Sequence, residues 1–394
     1  MSSKVAHLQG LTLVSPHGCR RQDLWLEGEY FRLPSQRSGL KLSLENTWAF
    51  PAFVNGHDHL HLNSMAGLPD PPGFTNAVDW AAWLQKEHDR RPSKISTHDP
   101  RRFHHGAWKN LLSGATSVAH HDPIPASIDP THYLIDLIPI KWCHSLAFAG
   151  KYGPGLQESR QGLQPRQAWV IHAAEGTDEE AAHEVQQLQQ LGFLDSRTVL
   201  VHGVGIRENQ RSWVQQSGAK LVWCPSSNLK ILNRSIDPAP YLQRESLCLG
   251  TDSRLSGSQD LISEMKAARE LYPLDGASLL KLVTTHPRRI FFLDGHEAFR
   301  PESRADFLLI QAGDNPWDAL LNLKRNDIAA VVKGGMPALA DPTFASWFDY
   351  FGIATRLLWL DGKPKLIRED WLQDFPGWEW EPGLSLHHPE TVDE

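Results

Sequence analysis

The feature that most constrains the fold of this chain is a series of short apolar runs, between about residue 53 and residue 293, that lead into His, Cys or Asp. Longer stretches with helical patterning separate them. Apolar runs of about four to eight residues that alternate with helical segments indicate repeated βα units and a parallel sheet. The runs are AFVNGH, ATSVAH, IKWCHS, AWVIHA, TVLVHG, KLVWCP and SLCLGTD. Because a parallel α/β barrel brings the carboxyl ends of its strands to one mouth, these polar residues predict a site there.

The sequence divides into three parts. Residues 1–50 read as short strands and turns and predict a small β module. Residues 51–300 carry the βα pattern. Residues 301–394 contain two more strand-like stretches, RADFLLIQ and DIAAVVKGGMP, and then a tryptophan-rich tail in which we find no motif.

Composition narrows the class of protein. Of the 394 residues, 41% are hydrophobic and 22% are charged, which is typical of a folded globular protein. The net charge of −7 comes without long blocks of either sign, so neither nucleic acid nor an anionic membrane is expected as a partner. No run approaches the ~18 apolar residues of a membrane span, and the N-terminal stretch has no signal-peptide pattern. We therefore expect a cytoplasmic protein.

Histidine is the abundant metal-ligand type, with 20 residues, whereas the four cysteines stand alone without CxxC spacing. The segment FVNGHDHLHLN places His57 and His59 two residues apart. On an extended chain both point to the same side and can reach one ion at the ~2.0–2.1 Å of a Zn–N bond, while Asp58 points the other way. His61 continues the ligand face and is a candidate substrate contact. By itself this pattern also fits a solvated turn.

Further ligand types arrive at later strand ends. His172 ends AWVIH, His202 ends TVLVH and Asp252 ends LCLGTD. Each alone is explained by a hydrogen-bonded residue near a strand end, but a strand does not need a polar terminus, and their recurrence favours a site. His and Asp suit Zn or Fe with one position left open for water.

A helix is expected directly after AWVIHAAEG. Thr177 and Glu180 stand three residues apart ahead of AAHEVQQLQQL, which is the spacing of a capping box. Glu175 therefore lies in the loop between a strand and this helix.

The segments PAFVNGHDH, VIHAAEG, VLVHGVG, VWCPSSNLK and LGTDS resemble the amidohydrolase superfamily, and within it the branch of cytosine, guanine and S-adenosylhomocysteine deaminases. The resemblance runs over nearly the whole chain. It implies an α/β fold, a (β/α)8 TIM-type barrel with a small flanking β-sandwich built from both chain ends. It also implies one divalent metal, Zn or else Fe, bound by His57, His59, His172 and Asp252.

The same resemblance assigns roles near the metal. Glu175 matches the family's proton shuttle, His202 matches the residue beside the reacting carbon, and Asn228 matches a loop asparagine with a structural or substrate-facing role. Physically, a metal lowers the pKa of its water far below ~15.7, Asp252 is placed to accept the water's proton, and Glu175 is placed for general acid–base catalysis. The non-catalytic interpretation of Glu175 is a surface glutamate favoured by the helix dipole, and that of His202 is a histidine that orients Asp252.

Lys141, in PIKWCHS, leaves an alternative open. Some superfamily members hold two metals bridged by a carboxylated lysine on the fourth strand, and His172 and His202 follow Lys141 at a spacing that this pattern tolerates. However, Lys141 sits early in its strand, and such members have no evident need for a glutamate three residues after the histidine. The single-metal site is the preferred prediction.

The substrate contacts are harder to transfer. Only residues 124–167 separate the second predicted strand from AWVIH, roughly half of what the deaminase branch spends on its third and fourth strands. His121 and His144 are candidates to fill the gap. Trp83, one helical turn after Trp80, is a candidate lid over a flat heterocycle, although such pairs more often belong to a core.

The leading functional prediction is a hydrolase in which metal-activated water attacks an sp² carbon of a small C–N compound, most simply the deamination of an amino-heterocycle. The alternatives are an amide, cyclic-imide or carbon–halogen hydrolase at the same site, or a metal-binding barrel without turnover. A degraded site would lack a ligand or the shuttle, and here all are present. A small molecule is the expected partner, and the chain is a candidate homo-oligomer.

Overall fold

The structure, a computed structural model, describes residues 4–65, 70–90, 96, 99–293, 298–372, 375 and 381–387. Along the chain, a central series of parallel strands and helices is preceded and followed by strands that pair mainly in antiparallel fashion. Two tryptophans of the predicted tail, Trp378 and Trp380, lie outside the described residues.

Seven short strands form the first group. They are separated by turns rich in Gly, Asn and Pro, which interrupt pairing and reverse the chain. The strands are β1 (Val5–Gln9), β2 (Thr12–Ser15), β3 (Gly18–Arg21), β4 (Leu24–Glu27), β5 (Tyr30–Arg32), β6 (Leu40–Ser43) and β7 (Thr47–Pro51). Four of them pair in the order β5-β4-β1-β6, and the other three join a larger sheet.

The central part contains eight parallel strands: β8 (Phe53–Asp58), β9 (Ala115–His120), β10 (Asp136–Leu137), β11 (Lys141–Ser145), β12 (Trp169–Ala173), β13 (Thr198–His202), β14 (Lys220–Trp223) and β15 (Leu247–Leu249). They form two sheets, in the orders β10-β9-β8 and β11-β12-β13-β14-β15. β8, β9, β12, β13 and β15 are buried along their whole length, as expected for a parallel sheet covered on both faces, although β8 and β9 also bury polar side chains such as Asn55 and Thr116. Seven of the eight follow the predicted runs, whereas the two-residue β10 was not predicted.

The ends of β8 and β15 meet. Asp58 and Asp252 form a parallel bridge, and the His57 carbonyl accepts the N–H groups of Thr251 and Asp252 at 2.9 and 3.1 Å. Glycine allows this approach, because a Cβ on Gly56 would lie 2.7 Å from the Leu249 carbonyl oxygen.

Ten helices of the described chain accompany these strands: α1 (Ala77–Arg90), α2 (Pro100–Leu112), α3 (Leu156–Ser159), α4 (Glu179–Gln190), α5 (Glu208–Ser217), α6 (Pro225–Leu232), α7 (Ala239–Leu242), α8 (Leu261–Leu271), α9 (Gly276–Val283) and α10 (Thr285–Ile290). The helix predicted after AWVIHAAEG is α4. Its cap is Asp178, whose carboxylate accepts the N–H of Ala181 at 2.9 Å, and the Thr177 hydroxyl instead donates to the Thr75 carbonyl. The predicted capping box is therefore wrong, because the better acceptor stands one residue later.

The remaining strands return to the first group: β16 (Phe307–Gln311), β17 (Ile328–Lys333), β18 (Met336–Ala340), β19 (Thr355–Leu360), β20 (Lys363–Arg368) and β21 (Leu384–Ser385). Two helices, α11 (Pro316–Leu321) and α12 (Ala345–Phe351), lie among them. The sheet has the order β21-β19-β20-β18-β17-β16-β7-β2-β3, so both chain ends contribute to it. It shares a hydrophobic cluster with the four-stranded sheet, including Leu8, Leu26, Phe307 and Val332.

Short 3-10 turns complete the described structure, at Leu60–Leu62, Pro130–His132, Arg325–Asp327, Pro342–Phe344 and Glu369–Leu372. Within the described ranges, no helix combines the length and the apolar character needed to cross a bilayer.

Candidate metal centre and active site

Four buried side chains from the ends of three strands converge on one point. His57 lies on β8, His59 directly after it, His172 on β12 and Asp252 shortly after β15. The Nε2 atom of His172 is 3.1 Å from Nε2 of His57 and 3.2 Å from Nε2 of His59. The Oδ1 atom of Asp252 is 3.7 and 3.5 Å from the same two nitrogens.

These separations fit one small divalent cation. Four ligands in a tetrahedron with bonds of ~2.0–2.1 Å lie about 3.3 Å from one another. Nδ1 of His172 donates to the His144 carbonyl at 2.7 Å, and Nδ1 of His59 donates to the Asp122 carboxylate. In the neutral form of each ring the Nε2 atom then carries the lone pair that a metal ligand needs, and the partner of Nδ1 fixes the orientation of the ring.

The surrounding charge also favours a cation. Burial alone would lower the pKa of His59, but the negative charges of Asp122 and Asp252 outweigh it and raise that pKa to about 9. Burial tends to raise the pKa of Asp252, whereas the adjacent histidines hold it far below its usual range. Asp252 is therefore ionised, and the centre stabilises positive charge.

Hydroxyl groups set the orientation of Asp252. Its φ of +57° lies in the left-handed region, which costs a non-glycine residue about 1–2 kcal/mol, so its neighbours must hold it. The hydroxyls of Ser227 and Ser256 each donate to Oδ2 at 2.6 Å. This leaves Oδ1 directed toward the histidines.

Glu175 and His202 lie side by side next to the four convergent side chains. Nδ1 of His202 donates to Oδ1 of Asn228 at 2.8 Å, so Asn228 supports this histidine, and Nε2 of His202 lies 3.4 Å from Oε1 of Glu175. Burial, partly opposed by His202, raises the pKa of Glu175 to about 7. The Glu175 carboxyl can therefore hold or release a proton near neutral pH. A ring nitrogen of His202 is also within 4.8 Å of ligand atoms of His57 and His172.

The other candidate substrate residues separate into two sets. His61 and His144 line the cavity over the metal centre. His121 and Asn228 are absent from the described cavity wall. The ring of His121 stacks on His172, with centroids 4.3 Å apart, and its Nε2 donates to the Cys143 carbonyl at 2.9 Å. The structure thus gives His121 a supporting position behind a ligand rather than the predicted place in the pocket.

The predicted tryptophan pair also divides. Trp80 lines the cavity, whereas Trp83 is not on the described wall and packs near Phe74, with ring centroids 5.9 Å apart. Positions three residues apart differ by roughly 60° around a helix, which is enough to turn one ring away. The aromatic face that α1 offers to the described cavity wall is that of Trp80, so the predicted lid position of Trp83 gains no support from the structure.

The register of β11 excludes Lys141 from the centre. Lys141 pairs with Trp169, while Ser145, at the other end of β11, pairs with His172. Three residues of extended chain between Trp169 and His172 correspond to about 10 Å. A carboxylated Lys141 would lie at the end of the strand away from His172, which favours the predicted single-metal centre over the binuclear alternative.

Asp58, between the two ligand histidines, forms a buried ion pair beneath the centre. Its Oδ2 atom is 3.0 Å from Nζ of Lys109, and both side chains are fully buried. Nζ of Lys109 also donates to Oδ1 of Asn63 at 2.7 Å and to the Thr251 hydroxyl at 3.0 Å. The pair therefore links α2 to the ends of β8 and β15.

Replacing Lys109 with Met is expected to destabilise the protein by about 3–5 kcal/mol, because Asp58 would remain buried without its cation. The measurement is the urea concentration at the unfolding midpoint. Lys363→Met is the matched control, since Lys363 and Asp327 form an exposed pair worth about 0–1 kcal/mol. Equal midpoint shifts in the two variants would contradict the role of the buried pair.

A cavity of about 1370 Å³ opens over the centre. One wall includes Trp80 of α1 and Glu184 of α4, and Phe148 and Tyr152 lie on the loop after β11. Glu184 accepts the N–H of Ala174 at 2.7 Å, and burial raises its pKa to about 7. The cavity is larger than the ~300–1,000 Å³ of most small-molecule sites.

Several supporting residues were not assigned these roles from the sequence. Asp122 holds His59, Ser256 holds Asp252, and Glu184 holds the backbone of Ala174. Asp122 had a usable signal, since it follows a predicted strand end in AHHD. Ser256 and Glu184 had none, because serine in a loop and glutamate on a helix are ordinary surface residues.

The sequence comparisons found deaminases. No protein-family model matches the chain. It is 27% identical over 174 residues to a 5-methylthioadenosine/S-adenosylhomocysteine deaminase of Syntrophus aciditrophicus, a segment covering 39% of each chain. It is 34% identical over 109 residues to an aminodeoxyfutalosine deaminase of Deinococcus radiodurans, covering 27% of this chain and 26% of that one. The matched segments thus span well under half the length of these relatives.

The structural comparisons extend over most of the chain. An adenosine deaminase from Xanthomonas campestris with bound zinc gives a TM-score of 0.66 at 18% identity, covering 86% of this chain and 93% of that one. An atrazine chlorohydrolase from Arthrobacter aurescens complexed with zinc gives 0.67 at 15% identity, covering 84% and 94%. At these identities the likeness shows a shared fold.

The shared fold and the partial sequence matches, together with the convergent side chains, support the resemblance to the amidohydrolase superfamily. The sequence relatives that match part of the chain are deaminases, which agrees with the predicted resemblance to that branch.

Proposed function

We propose that the protein is a metal-dependent hydrolase that removes the amino group from a ring carbon of an amino-heterocycle. A C–O bond to water forms, the C–N bond breaks and ammonia leaves, without any oxidant or reductant. The observation that carries this proposal is the Glu175 carboxyl, 3.4 Å from His202 and beside four convergent ligand atoms. A purely structural metal site has no need of such an acid–base pair.

The fold that we propose for the central part is a (β/α)8 barrel formed by β8–β15. The bridge between Asp58 and Asp252, which joins the two parallel sheets, supports it. The four-stranded and nine-stranded sheets would form the flanking β-sandwich, which their shared hydrophobic cluster supports. The corresponding parts of the chain are residues 1–50, 51–300 and 301–394.

The proposed cofactor is one divalent ion, zinc or else iron, held by His57, His59, His172 and Asp252. Zinc is bound in the similar structures from Xanthomonas and Arthrobacter. The bound ion supplies Lewis acidity, which lowers the pKa of a water molecule enough for attack on carbon near neutral pH.

The protein's own residues move the protons. Oε1 of Glu175 takes a proton from the attacking water and delivers it to a ring nitrogen or to the leaving amino group, a contribution of about 10²–10⁴-fold. His202, held by Asn228, keeps Nε2 directed at Glu175 and, once protonated, stabilises negative charge at the attacked carbon. Asp252 is ionised and is a second acceptor for the water's proton.

The cavity favours a substrate larger than a bare ring and without a phosphate group. The described lining residues include Lys151 as their single lysine or arginine. Against it stand seven carboxylate side chains, those of Asp99, Asp122, Glu175, Glu179, Glu180, Glu184 and Asp252. The relatives' names, 5-methylthioadenosine/S-adenosylhomocysteine deaminase and aminodeoxyfutalosine deaminase, also point to a substituted ring. We propose an unphosphorylated adenine nucleoside as the substrate class.

Ammonia release from the zinc-loaded protein tests this proposal. We expect turnover of an adenine nucleoside with kcat/KM at least about 100-fold above that of its 5′-monophosphate, because like charges in a confined site cost several kcal/mol. Free adenine, cytosine, guanine and an aminotriazine complete the panel. Absence of ammonia from every compound would reject the deaminase, and equal rates on nucleoside and nucleotide would reject the electrostatic argument.

A second candidate is a carbon–halogen hydrolase, favoured by the fold shared with an atrazine chlorohydrolase. Chloride is a very weak base and leaves without being protonated, so this reaction depends less on Glu175. Chloride release from a chlorotriazine, with an activity that survives Glu175→Gln better than ammonia release does, would support this candidate.

A further inference from the structure

We infer that the C-terminal segment holds the metal-binding loop in position through Glu381, which acts as a positioning residue for Asp252. The inference rests on the proposed metal centre. It concerns how tightly that centre binds its ion, and not which substrate the enzyme turns over.

Glu381 is buried at the point where the C-terminal segment meets the central part of the chain. Its side chain is fully buried although it is a carboxylate. Oε1 accepts from Arg254 at 2.9 Å and from Arg325 at 2.5 Å, and Oε2 accepts from Arg254 at 2.9 Å and lies 3.2 Å from Nε2 of His105. Burial alone would raise the pKa of Glu381, but His105 and Arg254 lower it to about 2. The carboxylate is therefore charged and uses both oxygens.

Arg254 connects this carboxylate to the loop that carries Asp252. It lies two residues after Asp252, and its guanidinium donates two parallel hydrogen bonds to the Glu381 carboxylate, the strongest geometry for such an ion pair. Its Nε donates to the Gln259 carbonyl at 2.7 Å, and its backbone N–H donates to Oδ1 of Asn63 at 3.0 Å. One side chain thus ties both ends of the loop 252–259 to the C-terminal segment.

The loop needs such a restraint. Asp252 occupies the left-handed region, and Ser256, inside the same loop, donates to its Oδ2 at 2.6 Å. A non-glycine residue keeps that conformation only where its surroundings over-determine it. If Arg254 loses its anchor, the loop relaxes and Ser256 moves. Oδ1 of Asp252 then leaves the position where it faces His57 and His59.

β21 explains why the anchor is firm. Leu384 and Ser385 pair with Leu360 and Trp359 of β19, so the segment carrying Glu381 is part of the nine-stranded sheet. Arg325, which precedes β17 of the same sheet, also donates to Asp361 at 2.6 Å. The nine-stranded sheet is therefore connected to the loop 252–259 through the buried carboxylate of Glu381.

The test is the Zn²⁺ affinity of the full-length Glu381→Gln variant, measured by competition with a chromogenic chelator. We expect the affinity to fall about 10–100-fold, as for other residues that orient metal ligands. Arg254→Lys keeps the positive charge but loses the bidentate hydrogen bonding to Glu381, so its Zn²⁺ affinity should fall by a similar factor. In the double variant the losses should not add, because both changes break the same link.

Asp195→Asn is the matched control. It breaks a partly buried ion pair with Arg160, 2.5 Å long, next to the amino end of β13. We expect the Zn²⁺ affinity of this variant to stay within twofold of the unaltered protein. An unchanged affinity in Glu381→Gln, or an equal loss in Asp195→Asn, would overturn the inference. If Glu381→Gln does not fold, Arg254→Lys decides by the same measurement. Because the readout is metal binding, a chain that binds zinc as expected but releases no ammonia would reject the proposed function and leave this inference standing.

Discussion

Replacing Glu175 with Gln is expected to lower kcat for ammonia release by about 10²–10⁴-fold while the zinc content stays at one equivalent per chain. The amide has nearly the same shape as the carboxyl but cannot carry a proton between water and the leaving group. Glu175 lies next to His202 rather than among the four convergent atoms, so the ligand set is left intact. Single-turnover kinetics and metal analysis on the same preparation check both statements.

Glu208→Gln is the matched control for this experiment. Glu208 is an exposed glutamate in the first turn of α5. A surface glutamate at a helix start was the non-catalytic interpretation of Glu175, so Glu208 shows what replacing such a residue does. Its replacement should change kcat less than about threefold. Unchanged turnover in Glu175→Gln, or loss of zinc with the activity, would reject the role of Glu175 as a proton carrier.

Removing the metal is the second change with a large expected effect. Chelation, or replacement of His172 by Ala, should lower turnover at least about 10³-fold, because the pKa of water then returns toward ~15.7. Chelation should also lower the melting temperature, since an ion present at about 1,000 times its Kd stabilises the folded state by about 4 kcal/mol. Readdition of Zn²⁺ should restore both properties in the chelated protein and neither in His172→Ala.

His286→Ala controls for the loss of a buried histidine. His286 lies on α10, is 2% exposed, and its Nδ1 donates to the Leu247 carbonyl at 2.8 Å, outside the ligand set. This variant is expected to lose stability but to bind one equivalent of zinc. A second equivalent in the unaltered protein would contradict the single-metal centre.

Much of the site was within reach of the sequence because its main signals are local. A histidine or aspartate at the end of a mainly apolar strand is conspicuous, and this signal predicted His57, His172, His202 and Asp252, which the structure brings close together. The parallel arrangement then brings such ends to one edge. β10 was missed because two residues are too few for any period.

The register of β11 against its neighbouring strand and the rotation of α1 about its axis could not be predicted from the sequence. The sequence placed Lys141 early in its predicted strand, and only the pairing of Lys141 with Trp169 fixes its position relative to His172. Trp80 and Trp83 share a helix, and only packing against Phe74 shows which ring is turned from the cavity. A pattern of residues fixes neither the partner strand nor the rotation of a helix, because neighbours in space set both.

By itself, then, the sequence indicated the parallel α/β pattern, the resemblance to the superfamily and the candidate metal ligands, because each of these signals lies in the order of residues within one strand or loop. Only the tertiary structure decided how those ligands are held. The Asp122 carboxylate on His59 comes from 63 residues away, and the Glu381 carboxylate on Arg254 from 127 residues away. Contacts over such separations leave no local period, so folding alone brings them together.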